Sequence, residues 1–263
     1  MFDYFSMMAL PVKLYQDVNY LGPATAFCYE YNGNNYLVSN WHVFSGRNPD
    51  TGQPLSSTGA IPSKICILMH GIEPGSYYDE VSFELYGKNE EALWLQHQDG
   101  QTIDIAAINI SELFAGPKLY FANAHEHLKD RLTLRVTDEV FITGFPRGLT
   151  KQGIFPVWKR GTIAAEPNIL VDGSDATFLV DTATREGMSG SPVFKRMNKE
   201  FTDYRDDSGT TKVNITHLIG VYSGRFGGDD GLSAQLGRVW KTDKIREVLW
   251  HPSLGSYEIL KRN

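Results

Sequence analysis

The sequence predicts an all-β fold arranged as barrels or a sandwich, with one short helix near the C-terminus. Short segments that are fully apolar or alternate in polarity recur along the 263 residues, and Gly, Asn, Asp and Pro separate them. Helical periodicity is scarce, and the sequence contains neither a βα repeat nor an internal repeat. These observations favour an antiparallel β-fold over a parallel sheet with crossover helices.

Twelve segments have the pattern of strands, and an Asn-Gly-Asn turn joins the first two as a hairpin. An apolar run at 5–12 is interpreted as a first strand or a partner-binding edge. In chain order the twelve segments are 24–31, 35–39, 64–69, 80–85, 103–110, 133–136, 139–144, 157–164, 169–172, 177–181, 191–194 and 215–222.

The remaining segments are predicted to be helices, a crossover and loops. The clearest helical pattern lies at 242–249, whose first residue can act as the N-cap of an apolar stripe. A weaker helical pattern lies at 123–128. The segment 111–131 is predicted to cross between two lobes. Surface loops are predicted at 45–63 and 195–212, and the second of these is rich in charge.

The composition is that of a soluble globular protein, with 41% hydrophobic and 21% charged residues. A net charge of −6 without a basic run argues against nucleic acid as a partner. No apolar stretch approaches the length of a membrane span. The apolar run near the start is a poor secretory signal, because Asp3 precedes it and no basic residue comes before Lys13.

The two cysteines, Cys28 and Cys66, both lie inside apolar runs. We therefore expect buried free thiols rather than a disulfide. Together with the poor secretory signal, this predicts a reducing, cytoplasmic location.

The motif Gly-x-Ser-Gly-x-Pro at 187–192 is the strongest functional signal in the sequence. Gly187 allows the backbone to turn, so that its N–H and that of Ser189 can point at one oxyanion. Gly190 keeps the floor open for substrate, and Pro192 fixes the exit into the next strand. An ordinary Gly/Ser/Pro turn is the alternative, because such turns are common.

A serine nucleophile needs a base, and His42 is the best candidate among seven histidines. It directly follows a predicted strand, where a fold presents a side chain on a rigid support. A lone histidine beside Trp and Val is more often structural, so the assignment depends on its pairing with the serine motif. The other six lie in polar or loop contexts or open a strand: His70, His97, His125, His127, His217 and His251.

The acid that orients the base is predicted to be Asp104, which stands between Ile103 and Ile105. A carboxylate in such an apolar segment is costly unless it is paired, and the Nδ1–H of His42 would satisfy it. A solvent-facing Asp at a strand edge is the alternative. Asp99 lies in a Gln-Asp-Gly turn and is not a candidate.

The chain order of these residues discriminates among hydrolase folds. The order is His42, Asp104, Ser189, whereas α/β-hydrolases run Ser, Asp, His and have glycine where Ser191 stands here. The subtilisin order begins with Asp. Only the chymotrypsin-like order fits, and that fold consists of two β-barrels with the site between them.

On these motifs the chain resembles trypsin-like (chymotrypsin-fold) serine proteases, specifically the disulfide-free intracellular type of prokaryotes. The resemblance extends over about residues 24–249. The segments that carry it, besides the strand that precedes His42, are 41–43, 104–106, 144–148, 187–192 and 219–224.

The resemblance implies a fold of two six-stranded antiparallel β-barrels with a C-terminal helix. The N-terminal lobe, 1–120, would carry His42 and Asp104. The C-terminal lobe, 121–263, would carry Ser189 and end in the helix.

The resemblance also implies a role for each residue. His42 would be the general base, Asp104 the residue that orients it and Ser189 the nucleophile, with the N–H groups of Gly187 and Ser189 as the oxyanion hole. No cofactor and no metal are expected. The edge that pairs with substrate backbone would comprise Tyr222, Ser223 and Gly224.

Departures from the family pattern bear on activation and specificity. Met188 replaces the acid that secreted trypsins carry before the nucleophile, so control by a partner or by ordering of the serine turn is expected rather than zymogen cleavage. Ala183, at the floor of the specificity pocket, does not support a preference for Lys or Arg. Arg225 would favour an acidic or polar side chain on the substrate, whereas Asp229 and Asp230 would favour a basic one. The preferred substrate residue is therefore left open.

These observations predict a serine endopeptidase, and the resemblance suggests one dedicated protein substrate, as in prokaryotic antiviral defence. The expected partners are a protein or peptide substrate and a regulatory protein, but neither nucleic acid nor a membrane. The alternatives are a catalytically latent or pseudoprotease module that binds peptides, and a non-peptidase acyl hydrolase.

Overall fold

The computed structural model describes residues 2–73, 75–113, 117–126, 132–150, 154–171, 173–202, 210–225 and 236–256. Within these ranges, fourteen strands and two α-helices are formed. The strands are β1 Ala9–Gln16, β2 Asn19–Tyr31, β3 Asn34–Ser39, β4 Lys64–His70, β5 Tyr77–Glu84, β6 Glu91–Gln96, β7 Ala106–Asn109, β8 Glu139–Gly144, β9 Val157–Ile163, β10 Thr177–Asp181, β11 Ser191–Thr202, β12 Thr210–Arg225, β13 Leu236–Lys241 and β14 Ser253–Ser256. The helices are α1 Trp41–Ser45 and α2 Thr242–Trp250.

The first lobe is an eight-stranded antiparallel sheet in the order β14-β6-β7-β3-β2-β1-β4-β5. The sheet curls on itself, because the end of β5 is linked to the start of β6. A bridge joins Tyr86 to Ala92, and the N–H of Leu93 donates to the carbonyl oxygen of Leu85 at 2.9 Å. The curled sheet encloses a core of aliphatic and aromatic side chains, which include Leu37, Phe44, Ile65, Ile67 and Trp94.

The second lobe is a closed six-stranded barrel in the order β10-β13-β12-β11-β8-β9. Its interior is filled by fully buried side chains, among them Val140, Ile142, Phe178, Val193 and Val239. A third cluster contains residues of both lobes and the apolar face of α2, so the lobes share a packed boundary.

The all-β class, the closed barrel and the C-terminal helix are confirmed. The first lobe has eight strands rather than six, because β6 was not predicted and β14 returns from the end of the chain to pair with β6 through Leu254 and Leu95. This pairing covers a sheet edge. The apolar run near the start forms β1, as one of its two interpretations proposed. The division of the chain at residue 120 stays a prediction.

Several local predictions were wrong. The segment 195–212 is not a loop, since β11 and β12 extend as a long hairpin on either side of 203–209, which lie outside the described residues. The segments 133–136 and 169–172 are not strands in the described part of the chain. Of the weak helical pattern at 123–128, residues 123–125 form turns and Glu126 has 3-10 helical geometry, while 127–128 lie outside the described residues.

Three strands, β6, β13 and β14, were not predicted. In β6 the buried residues Ala92 and Trp94 alternate with exposed neighbours. One of these exposed neighbours is the apolar Leu93, so the sequence does not show the alternation of apolar and polar residues that is typical of a strand. The opposite error occurs at 169–172, where Ile169 and Leu170 are apolar but exposed.

Both cysteines are free and buried, as expected. Burial raises the pKa of the Cys28 thiol to about 12, so this thiol stays protonated at neutral pH. In the part of the chain that is described, no helix has both the length and the apolar character needed to span a bilayer.

Candidate active site

His42 is held at the start of a short helix that directly follows β3. Asn40 precedes the helix, and its side-chain amide donates to the backbone carbonyl of Asp104 at 2.8 Å. The N–H of His42 would otherwise be one of the unpaired donors at a helix start, and it donates to Oδ1 of Asp104 at 2.8 Å. The carboxylate therefore caps the helix from a distant part of the chain and fixes the backbone of His42.

The same carboxylate fixes the imidazole. Asp104 Oδ2 lies 2.8 Å from Nδ1 of His42 and also accepts a hydrogen bond from the hydroxyl of Ser223 at 2.5 Å. Asp104 is fully buried, so these bonds offset the cost of placing a carboxylate in the interior. Because an ionised carboxylate can only accept, Nδ1 of His42 carries the proton and Nε2 of the neutral ring is left with a free lone pair.

Ser223 reaches Asp104 because of a bulge in β12. Tyr222 pairs with Val239 and Gly224 pairs with Arg238, so Ser223 is an extra residue on its strand. A bulge re-aims the side chain of the residue that it inserts. Here the hydroxyl turns toward the first lobe and joins the two lobes at the carboxylate.

The turn that carries Ser189 depends on two glycines. Gly187 and Gly190 have φ values of 89° and 81°, which other residues adopt only with strain. A Cβ on Gly190 would lie 2.1 Å from the carbonyl oxygen of Thr25 and 2.2 Å from the hydroxyl of Ser39. Only glycine therefore lets this turn pack against β2 and β3.

Thr25 of β2 anchors the serine turn from the first lobe. Its N–H donates to the carbonyl of Ser189 at 2.9 Å, and its hydroxyl donates to the carbonyl of Gly187 at 2.7 Å. The same hydroxyl accepts from the N–H of Phe145 at 3.1 Å. Our sequence analysis did not single out Thr25, since nothing local distinguishes it from other strand threonines.

Arg147 orients the peptide that precedes Gly187. Its backbone has φ 52°, a left-handed conformation, and its N–H donates to the carbonyl of Glu186 at 2.7 Å. In a trans peptide the carbonyl and the N–H point in opposite directions, so the N–H of Gly187 is directed away from Arg147. Among the described contacts, neither this N–H nor that of Ser189 donates to a protein acceptor. Two donors without a protein acceptor in the described structure thus lie at Gly187 and at Ser189 itself.

Two cavities meet at His42. The larger has a volume of about 510 Å³ and is bordered by His42, Gly187 and Ser189. The smaller, of about 150 Å³, is bordered by His42, Gly224 and Arg225. The structure thus brings His42 and Ser189 to one cavity and joins His42 to Asp104 by hydrogen bonds.

The expected substrate-contacting residues occupy different environments. Ala183 is exposed, and Arg225 is exposed beside the smaller cavity. Ser223 and Gly224 also border that cavity. Asp229 and Asp230 lie outside the described residues.

Tyr222 is not positioned to pair with a substrate backbone. Its carbonyl already accepts from the N–H of Gly190 at 2.9 Å. Its side chain is 1% exposed, and its hydroxyl is hydrogen-bonded to that of Thr184. Its ring packs so closely on Gly237 that a Cβ there would lie 2.4 Å from it. The expectation for Tyr222 is therefore corrected, because its backbone already pairs with Ser191 of β11 on one side and Val239 of β13 on the other.

The other described histidines lie away from this site. His97 is buried, and its Nε2 lies 3.0 Å from Oε2 of Glu247, a contact that attaches α2 to the first lobe. His70 is buried beside Tyr120, and burial lowers its pKa to about 4. His125 and His217 line a small crevice far from Ser189, and His251 is exposed, whereas His127 lies outside the described residues.

Comparison with known proteins places these features in a family. Residues 24–200 match the family described as trypsin-like peptidase domain, and this range includes His42, Asp104 and Ser189. No curated protein matches the chain.

Two solved structures are similar in fold. A serine endoprotease from Yersinia pestis has a TM-score of 0.54 and 14% identity, over 99% of this chain and 68% of its own. The HtrA-type protease AlgW, solved with a tripeptide, has a TM-score of 0.51 and 16% identity, over 94% of this chain and 62% of its own. The chain thus spans about two thirds of the length of these proteins, and at such identities the likeness concerns the fold.

Proposed function

Since this chain belongs to the trypsin-like peptidase family, we propose that it acts as a serine endopeptidase through His42, Asp104 and Ser189. The observation that carries the assignment is the Asp104–His42 pair. A fully buried carboxylate 2.8 Å from Nδ1 fixes both the tautomer and the orientation of the imidazole. A histidine with a purely structural role would not need a buried carboxylate partner and a neighbouring serine at the same cavity.

The proposed reaction gives each of these three residues a separate role. Nε2 of His42 takes the proton of the Ser189 hydroxyl as Oγ attacks the substrate carbonyl, and a tetrahedral intermediate forms. The imidazolium, stabilised by Asp104, then gives its proton to the leaving amine, and the C–N bond breaks. Water, activated by the same histidine, hydrolyses the resulting ester and frees the serine.

The oxyanion of each tetrahedral intermediate is assigned to the N–H groups of Gly187 and Ser189. Their lack of protein acceptors in the described structure supports this role. The hydrogen bond from Arg147 to Glu186 supports it further, because it keeps the Glu186 carbonyl out of the position that the oxyanion needs. Donors fixed before the reaction cost no reorganisation during it.

Recognition of the acyl half of the substrate, which precedes the scissile bond, is assigned to the end of β12. Ser223, Gly224 and Arg225 border the smaller cavity beside His42, where an extended peptide can add as a further strand. We propose one dedicated protein substrate in the cytoplasm, which is consistent with two free buried cysteines. Neither nucleic acid nor a membrane is part of this proposal.

Regulation is assigned to a protein partner rather than to a cleaved N-terminus. Met188 is fully buried within the barrel core, where secreted relatives have an acid that needs a charged partner. An apolar side chain at this position is satisfied by packing alone. A partner that changes the order of the serine turn is therefore the proposed means of control.

Cleavage of a proteome-derived peptide library by the wild-type protein and by Ser189→Ala tests this function. We expect new peptide termini only with the wild type, since loss of such a serine costs about a millionfold in kcat. Equal cleavage by both proteins would overturn the proposal. Absence of cleavage by both would favour the latent, peptide-binding alternative.

A further inference from the structure

The larger cavity extends from Ser189 into a recess whose apolar side chains the proposed mechanism does not use. Its volume of about 510 Å³ lies within the range of sites that bind small ligands or side chains. Its walls come from β1 and β2 and from the segment after α1. The apolar side chains that line it are those of Leu14, Leu21, Pro23, Ala24, Val43, Leu55, Ala60 and Pro62.

The position of His42 determines which half of a substrate can enter this recess. His42 lies between the recess and the smaller cavity formed by Ser223, Gly224 and Arg225. A peptide whose acyl half runs along Ser223 to Arg225 must pass its leaving half over His42, because that residue protonates the leaving amine. The residues that follow the scissile bond are therefore directed into the larger recess.

The surface next to the recess is also apolar and open. Tyr20 of β2, which adjoins the lining residue Leu21, is 55% exposed, and the lining residue Leu55 is 53% exposed. Exposed apolar side chains that gather around one cavity mark a binding surface. Among the described residues, Glu186 is the only acidic residue of the lining. It lies close to Gly22 of β2, since a Cβ added to Gly22 would be 3.8 Å from its Oε1.

The two cavities differ in size and character. The smaller, of about 150 Å³, shares Leu55 with the larger cavity and is otherwise bordered mainly by polar and charged groups, which include Asn48, Asp50, Arg225 and Arg238. Only the larger one offers a mainly apolar wall that can bury a large side chain. Because the free energy of burial grows with the apolar area removed from water, a substrate with a larger apolar side chain would bind this cavity more tightly.

We propose that this site selects its substrates by a bulky apolar side chain within the two residues that follow the scissile bond, held by Leu14, Leu21 and Leu55. The inference rests on the proposed peptidase function and specifies its substrate class. Leucine, phenylalanine and similar residues fit the recess, whereas aspartate would be placed in an apolar cavity beside Glu186.

The test begins with the best substrate of the peptide library. Four peptides keep its acyl half and carry Phe, Leu, Ala or Asp directly after the scissile bond, and a second set varies the next position. We expect kcat/KM for Phe or Leu to exceed that for Ala by at least about tenfold at one of the two positions, and Asp to be cleaved more slowly still. Equal rates for all four residues at both positions would overturn the inference.

Two variants link the preference to the recess. Leu21→Ser and Leu55→Ser should each reduce the Phe-to-Ala ratio several-fold, while Leu170→Ser, an exposed leucine elsewhere on the barrel, should leave it unchanged. Peptide rates are divided by hydrolysis of a small activated ester, which has no residue after the scissile bond. An unchanged ratio in both recess variants would contradict the inference.

The ester also distinguishes a failure of the peptidase function from a failure of the inference about the recess. If the wild type neither hydrolyses the ester nor cleaves any peptide, the peptidase function itself has failed. If it hydrolyses the ester and cleaves peptides without an apolar preference after the scissile bond, only the inference about the recess has failed.

Discussion

The hydroxyl of Thr25 donates to the carbonyl of Gly187 at 2.7 Å, and so a strand of the first lobe holds the serine turn of the second. The two residues are 162 positions apart in the chain. Because Thr25 also binds Ser189 and Phe145, it fixes the distance between the lobe that carries His42 and the turn that carries the nucleophile. The geometry of the site is thus a property of the contact between the lobes.

Replacement of Thr25 by valine keeps its shape and removes its hydroxyl. Gly187 and Phe145 would each lose a buried hydrogen-bond partner, at a cost of about 1–3 kcal/mol in the free energy of unfolding. We expect kcat to fall by about tenfold or more, because the oxyanion donors lose their support. Urea unfolding and steady-state kinetics measure the two effects.

Thr25→Ser is the matched control, since it retains the hydroxyl. It should recover most of the lost activity. If Thr25→Val is as active and as stable as the wild type, the hydrogen bonds of Thr25 do not position the turn.

Asp104→Asn tests the role of the buried carboxylate. The amide can donate as well as accept, so it no longer dictates that Nδ1 of His42 carries the proton. We expect kcat to fall by about 10⁴-fold while KM changes little. A reduction of less than tenfold would show that another group orients the imidazole.

Ser223→Ala removes only one of the hydrogen bonds to Asp104. The carboxylate keeps its two contacts with His42, so the expected loss in kcat is smaller, about tenfold. Ser223→Thr retains the hydroxyl and should stay closer to the wild type. A larger loss in Ser223→Ala than in Asp104→Asn would contradict this ranking of the two residues.

The Tyr222 ring, which packs inside the barrel, is expected to limit the depth available to the side chain that precedes the scissile bond. Its hydroxyl binds Thr184, which adjoins Ala183, the floor of the specificity pocket by family resemblance. Tyr222→Ala should open space there and shift the library profile toward larger residues before the scissile bond. Tyr222→Phe keeps the ring and should leave the profile as it is, so the same shift in both variants would contradict a steric role.

His70 makes the stability of the fold depend on pH. Its pKa is about 4 in the folded protein, against an ordinary value of 6.5, because both ring nitrogens are buried without a hydrogen-bond partner in the described structure. Between these values the unfolded chain binds a proton that the folded chain does not, so stability is lost as the pH falls from 6.5 toward 4. The loss amounts to about 3 kcal/mol.

His70→Phe, which keeps an aromatic ring beside Tyr120, should remove this component. Urea unfolding of both proteins at several pH values between 4 and 7.5 measures the difference in slope. Identical pH dependence in the variant and the wild type would show that His70 is not the group responsible.

The residues of the proposed triad could be singled out from the sequence because each has a local signal. Ser189 lies in a glycine-rich motif, Asp104 interrupts an apolar segment just before β7, and His42 follows the end of β3. The residues that hold them could not be predicted in this way. Thr25 and Ser223 are ordinary strand residues, and they act through contacts with partners more than a hundred positions away.

The strand predictions failed where exposure and hydropathy disagree. Leu93 is apolar but faces solvent, and it concealed β6, while the exposed Ile169 and Leu170 suggested a strand that does not form. The segment 195–212 is interpreted from the sequence as a loop because it is rich in charge, whereas β11 and β12 form a hairpin on either side of 203–209. These errors affect the periphery and leave the site unchanged.

The most direct measurement of the central claim is covalent labelling by a fluorophosphonate, which reacts with a serine activated by its base. The wild-type protein should incorporate one equivalent, with the label on the peptide that contains Ser189. Ser189→Ala and His42→Ala should incorporate none, or far less. Label on any serine other than Ser189, or equal labelling of the wild type and His42→Ala, would contradict the account.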